Sequence, residues 1–266
     1  MSLLISKVFT YDVDAGNYIQ AVEAADAQAL EPATRQAINN FVIGCKQDGI
    51  WTAIKASCIL AGARTLAGAL VPLVGVAPTN NGFIGIGTDY VRKTGLVGDG
   101  STKYLNTNRA NNADLRDSAH LGVHVTAAGT SGNLTIKTYI GAGDSTSYLQ
   151  ISRLNNIAGI TGIAGYCRNG NGNQIGLLNS TGFAGVARSV SASFNARADK
   201  TSLVIAGNSV APGGSNITVF AENYQNSISS HTDARLAFYS IGESLDLALL
   251  DARVTALITA FAAAIP

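Results

Sequence analysis

Between residue 94 and about residue 241 the chain alternates apolar and polar residues in short runs of period two. Gly, Asn and Ser break these runs at intervals near the 8 to 12 residues of a β-sandwich. Leu121, Val123 and Val125 fall on one face of such a run, and His120, Gly122 and His124 on the other. The pairs Leu134 and Ile136, Leu149 and Ile151, Leu203 and Ile205, and Ile217 and Val219 repeat the scheme. Residues 169–173 (NGNGN) predict a hairpin tip between Tyr166 and Ile175, because Asn-Gly pairs accept the positive φ angles of tight turns.

The flanks carry a different period. Asp14 is a candidate N-cap for a helix over residues 15–26, and Pro32 opens a second whose Ile38, Phe41, Val42 and Cys45 share one face. Gly49 is suited to end it. Residues 50–74, with the single tryptophan Trp51, read as one or two short helices. At the other end Leu249, Leu250, Val254, Leu257, Ile258 and Phe261 recur at helical spacing, after Ser244 as cap and Asp246 in the first turn. Its apolar face is expected to pack on the sandwich, with a trimer axis as the alternative. The Pro, Asn and Gly of residues 77–87 mark a boundary. The expected organisation is a helical segment over residues 1–87, for packing or attachment, and a sandwich with a closing helix over residues 88–266.

Composition narrows the function. Charged residues make up 13% of the 266, against roughly 25% in soluble domains, and the net charge is +1. That balance gives no reason to expect nucleic acid as a partner, and it leaves surface for contacts with copies of itself or with neighbours. Residues 1–9 (MSLLISKVF) lack the pattern of a secretory signal and read as a first strand. The apolar stretch 256–265 is shorter than the about 20 residues of a membrane span, so no membrane insertion is expected. Cys45, Cys58 and Cys167 have spacings that suit neither a disulfide framework nor a zinc site, and read as small buried residues.

Candidate chemistry is sparse. A glycosidase needs two carboxylates roughly 5 to 10 Å apart, yet Glu222 is the only glutamate within the β region, and Asp99, Asp114, Asp117, Asp144 and Asp199 fall in apparent turns. His120 and His124 lie four strand residues apart, about 13 Å, too far to share a metal ion, and read as polar residues on an exposed or interfacial sheet face. The chain is therefore expected not to be an enzyme and to need no cofactor. Two loops could bind. Residues 111–117 (NNADLRD) carry oxygens of the kind that coordinate Ca²⁺, and Arg168, Asn169, Asn171, Asn173 and Gln174 offer groups able to recognise sugar hydroxyls. Tyr104, Tyr148, Tyr166 and Tyr224 would have to supply the stacking surface, since the β region has no Trp.

Residues 98–107 (GDGSTKYLNT) resemble the opening strand of concanavalin-like and laminin-G-like jelly-roll domains, and residues 234–257 look like that family's closing strand and helix. Residues 41–74 are similar to helical segments that precede such sandwiches in tailed-phage structural proteins. The resemblance implies a mainly β, two-sheet antiparallel jelly roll. It also implies a virion structural protein, assembled in the host cytoplasm as a homo-oligomer, with a trimer expected. Other virion proteins would be its partners, with host-surface glycan as a further one, and its place either capsid decoration or tail fibre. A free lectin-like module is the alternative, and a polysaccharide hydrolase ranks behind both.

Overall fold

A computed structural model describes residues 10–130, 132–170 and 172–266; the expected first strand at residues 1–9 and Asn171 lie outside them. Among the described residues, two sheets of nine strands each, antiparallel but for one short pair, stack into the expected sandwich. One, the covered sheet, runs in the order Thr201–Ala206, Ser193–Ala198, Gly182–Val190, Ala119–Ala127, Arg235–Gly242, Ile54–Ile59 and Pro72–Val74. The other, the open sheet, runs Asn173–Gly176, Ile160–Asn169, Tyr148–Ile157, Thr135–Gly143, Asn216–Val219, Tyr104–Ala110 and Thr79–Asn81. Glu222–Tyr224 joins Thr135–Gly143 in parallel. Between the sheets Leu121, Val123 and Val186 face Leu149, Ile151 and Ile140, all at 0–1% exposure.

The resembling motif at residues 98–107 has a physical task. Asp99 Oδ1 accepts from the backbone N–H groups of Ser101, Thr102 and Lys103, closing the turn that launches Tyr104–Ala110. Partial burial raises this carboxyl's pKa, but those hydrogen bonds outweigh it and hold the value below the usual range.

Helix α1 (Val13–Asp26) is capped by Asp12 rather than Asp14, two residues before the expected start. Helix α2 (Pro32–Gln47) begins on its proline as expected, and Gly49, at φ 72°, turns the chain out of it. Residues 50–74 differ from expectation. They hold a 3-10 turn (Trp51–Ala53), the strand Ile54–Ile59 inside the covered sheet, helix α3 (Leu66–Ala69) and the edge strand Pro72–Val74. Ile54–Ile59 has protein on both faces, so its Ala, Ser and Cys positions show no alternation. Helix α4 (Leu247–Ala264) is capped by Asp246, not Ser244, and buries Leu250, Val254, Leu257 and Phe261 to 0–2% exposure. By length and composition it is apolar enough to cross a membrane. In this structure it lies on the covered sheet and on α2, tied by Arg253 to Asp48 at 2.6 Å and by Asp251 to Arg197 at 2.7 Å.

The covering helices reverse one expectation. His120 and His124 do lie opposite Leu121, Val123 and Val125, but that face is beneath α4 and both histidines are buried. Burial lowers each to about 4, so both are neutral at pH 7. His120 is held by the Glu243 carbonyl at 2.6 Å and Ser240 Oγ at 2.7 Å. Cys45, Cys58 and Cys167 are buried and unpaired, as expected.

Candidate functional site

Among the described residues, no helix lies on the outer face of the open sheet. Along Tyr148–Ile157 the inward residues are Leu149, Ile151 and Arg153, so Tyr148, Gln150, Ser152 and Leu154 point outward. The neighbouring strands bring Thr138 opposite Ser152, Ile136 opposite Leu154 and Tyr166 opposite Gln150. Beside them, Glu222–Tyr224 adds Glu222 and Tyr224. Together they enclose a depression of about 210 Å³ lined by Tyr148, Gln150, Ser152, Tyr166, Gly170 and Glu222 over an apolar floor of Ile136 and Leu154.

Two tyrosine rings, Tyr148 and Tyr166, form its wall, and Tyr224 backs Tyr148 from outside the lining. Tyr148 stacks on Tyr224 at 6.1 Å between centroids and 26° between planes, and tilts against Tyr166 at 5.5 Å and 51°. Glycines make this arrangement possible. A β-carbon at Gly141 would lie 2.7 Å from Gln150 Cγ, one at Gly143 would run into the Tyr148 ring, and one at Gly172 into the Tyr166 ring. The amide is fixed from below: Gln150 Nε2 donates to Thr138 Oγ1 at 2.8 Å, and Thr138 Oγ1 shares a 2.9 Å hydrogen bond with Ser152 Oγ.

Glu222 is the only carboxylate lining the depression, and Ser230 Oγ donates to its Oε2 at 3.3 Å. Burial raises its pKa against the lowering effect of Ser230 and Gln150. Burial, reinforced by Glu222, likewise pushes Tyr148 up to about 12. Among the described residues that line it there is no second carboxylate.

The residues singled out from the sequence are dispersed. Arg168 sits on a bulge at φ 57°, wholly buried, its carbonyl accepting from Val210 N and its guanidinium nitrogens without hydrogen-bond partners among the described residues. Asn169 is buried, paired in register with Tyr148. Asn173 is half-buried on the edge strand, and exposed Gln174 donates to the Gly176 carbonyl at 3.4 Å. The hairpin thus supplies Gly170 to the depression and sets Gly172 against the Tyr166 ring, while Arg168 and Asn169 are buried. Of the four tyrosines, Tyr148, Tyr166 and Tyr224 converge, and Tyr104 packs on His231 elsewhere. In the loop at residues 111–117, Asp114 is ion-paired with Arg109. Among the described residues no group of three or more His, Cys, Asp or Glu is placed to hold a metal.

Gln150, Ser152 and Thr138 were not singled out. Their signal was faint: polar residues at alternate positions of strands whose other positions are apolar.

No protein-family model matches the sequence, and no curated protein does. Solved structures do. The binding domain of botulinum neurotoxin serotype D matches at 10% identity and a TM-score of 0.49, over 77% of this chain and 50% of that one. A leech intramolecular trans-sialidase matches at 13% identity and 0.38, over 69% of this chain and 27% of its own. The carbohydrate-binding module CBM40 of a Ruminococcus gnavus IT-sialidase matches at 12% identity and 0.35, over 52% and 82%. The chain thus spans between a quarter and a half of the toxin domain and of the trans-sialidase. Its own strand order, not these distant likenesses, defines the mainly β, two-sheet sandwich.

Proposed function

We propose that this chain is a non-catalytic, saccharide-binding sandwich displayed on a tailed-phage particle, where the outer face of its open sheet attaches to host-surface glycan. The observation that carries the binding role is the convergence of Tyr148, backed by Tyr224, and Tyr166 with Gln150 and Glu222 around one depression. Aromatic rings offer an apolar wall to the C–H face of a sugar ring, and an amide with a carboxylate takes up its hydroxyls. The lone carboxylate lining the depression supports binding without hydrolysis. The place on a virion rests on the sequence resemblance at residues 41–74, of which only the end of α2 and the short α3 are α-helical, and on the low charge.

Assembly with further copies has its own support. Thr201–Ala206 is an open edge strand with Val204 75% and Leu203 41% exposed, the kind of edge that pairs with another chain. Light scattering is expected to show an oligomer, and a monomer at high concentration would contradict that part of the proposal.

The binding role is tested with Tyr148→Ala, which removes the ring at the centre of the wall. A host-surface glycan should raise the melting temperature of the wild type and leave that of the variant unchanged. Turnover of a glycan by the wild type would overturn the non-catalytic assignment.

A further inference from the structure

Resting on that reading of the open face, we infer that the depression takes a single uncharged sugar ring, at the end of a glycan or free, and discriminates against sugars that carry a carboxylate. The first support is the charge of its walls. Besides the tyrosine phenols, Glu222 is the one ionisable group among the lining residues, and none of them is Lys, Arg or His. Glu222 acts electrostatically on both Tyr148 and Tyr166, Tyr224 and Tyr166 act on Tyr148, and Glu222 itself is hydrogen-bonded by Ser230 and Gln150, with no cation among these groups. Proteins that hold carboxylates generally do so with a guanidinium, an ammonium or converging backbone N–H groups. A sugar carboxylate here would instead lose water beside a second carboxyl group.

The hydrogen-bonding inventory points the same way. Ionised Glu222 accepts from hydroxyls, and protonated Glu222 donates to them and still accepts. In either state it serves a neutral polyol, and in the ionised state it repels an anion. Gln150 and Ser152 are buried and braced through Thr138, so the polar part of the lining is held in place before a ligand arrives.

Size limits the occupant to one ring. The volume of about 210 Å³ lies below the roughly 300 to 1,000 Å³ of pockets for drug-sized ligands. The close approach of Gly172 to the Tyr166 ring and of Gly143 to the Tyr148 ring leaves the walls little room to spread.

The test uses pairs of sugars that differ only in the charged group. Methyl glucoside against methyl glucuronoside, and methyl galactoside against methyl galacturonoside, are titrated into the full chain by ligand-observed NMR at pH 7.5. N-acetylneuraminic acid and the neutral N-acetylglucosamine and mannose glycosides complete the panel. At least one neutral sugar is expected to bind ten times or more tightly than its acidic counterpart. Tyr148→Ala should abolish binding and Tyr148→Phe retain it, with far-UV circular dichroism confirming that both fold, and Glu222→Gln should narrow the gap within a pair. Equal or tighter binding of an acidic sugar, lost in Tyr148→Ala, would overturn the inference while leaving the site a saccharide site. Binding that Tyr148→Ala does not weaken, or no binding by any sugar, would overturn both.

Discussion

The two outer faces of this sandwich start from similar strands and end with opposite roles. On the covered sheet, Phe238 meets Phe41 of α2 edge to face at 5.7 Å, and Gly122 leaves room for Phe183 and Leu250 of α4. Even the polar positions there, His120 and Ser240, close on one another. On the open sheet the corresponding outward positions are Tyr148, Gln150, Ser152 and Tyr166, and among the described residues no helix covers them. Large apolar groups and glycine invite a helix; phenols, an amide and hydroxyls keep one affinity for water and one for a flat ring. Helices on one face leave the other free for a partner.

The largest expected effect breaks the covered face. Phe261 is wholly buried, with its ring against Gly62. Phe261→Ala should cost about 3–5 kcal/mol in urea denaturation, whereas removing the half-buried Tyr148 ring should cost less than half as much and act mainly on binding. Equal losses would mean that the open face is also a packing face.

A smaller effect separates the faces by pH. His120 and His124 titrate near 4 when folded and near 6.5 when unfolded. Their contribution is complete above pH 6.5 and is lost as pH falls toward 4, because only the unfolded chain takes up protons in that window. Lowering the pH from 7 to 5 should cost on the order of 2 kcal/mol per histidine. The carboxylates held low, such as Glu31 at about 2 beside Arg92, begin to matter only below about pH 4.5. Urea midpoints at pH 7 and 5 for the wild type and for His124→Gln check this; identical slopes would show that His124 is not buried neutral.

The smallest effect belongs to the open face. Burial holds the folded Glu222 carboxyl above its unfolded value, so its ionisation opposes folding as pH rises through that interval. Glu222→Gln should therefore match the wild type near pH 4 and melt slightly higher at pH 8. A variant less stable at pH 8 would mean that the carboxylate makes a stabilising contact.

Much of this was legible in the chain, and the omissions have physical causes. Pro32 and Gly49 bracket α2 because ring constraint and positive φ act locally. The apolar stripe of α4 was equally plain. Ile54–Ile59 was not: buried on both sides, it offers neither period. Alternation placed His120 and His124 opposite Leu121 and Val123, but a period of two distinguishes two faces without saying which one meets water. The same limit hid the site. Tyr148, Gln150 and Ser152 alternate visibly, yet Glu222 reaches them through a parallel pairing some 80 residues along the chain, which spacing does not encode. The strands on either side of residues 169–173 pair as a hairpin should, but among the described residues the positive φ falls on Arg168 rather than on Gly170 or Gly172, and the burial of Arg168 depends on contacts such as that of Val210 with its carbonyl.

The central claim is that the open face, and not the hairpin tip or the helical side, is the binding surface. A two-dimensional amide NMR titration of the isotope-labelled full chain with the neutral monosaccharide panel tests it most directly. The account predicts shifts concentrated at Tyr148, Gln150, Ser152, Tyr166 and Glu222, spreading to Tyr224. Shifts confined to Asn173 and Gln174, shifts beneath α4, or none with any sugar would contradict it.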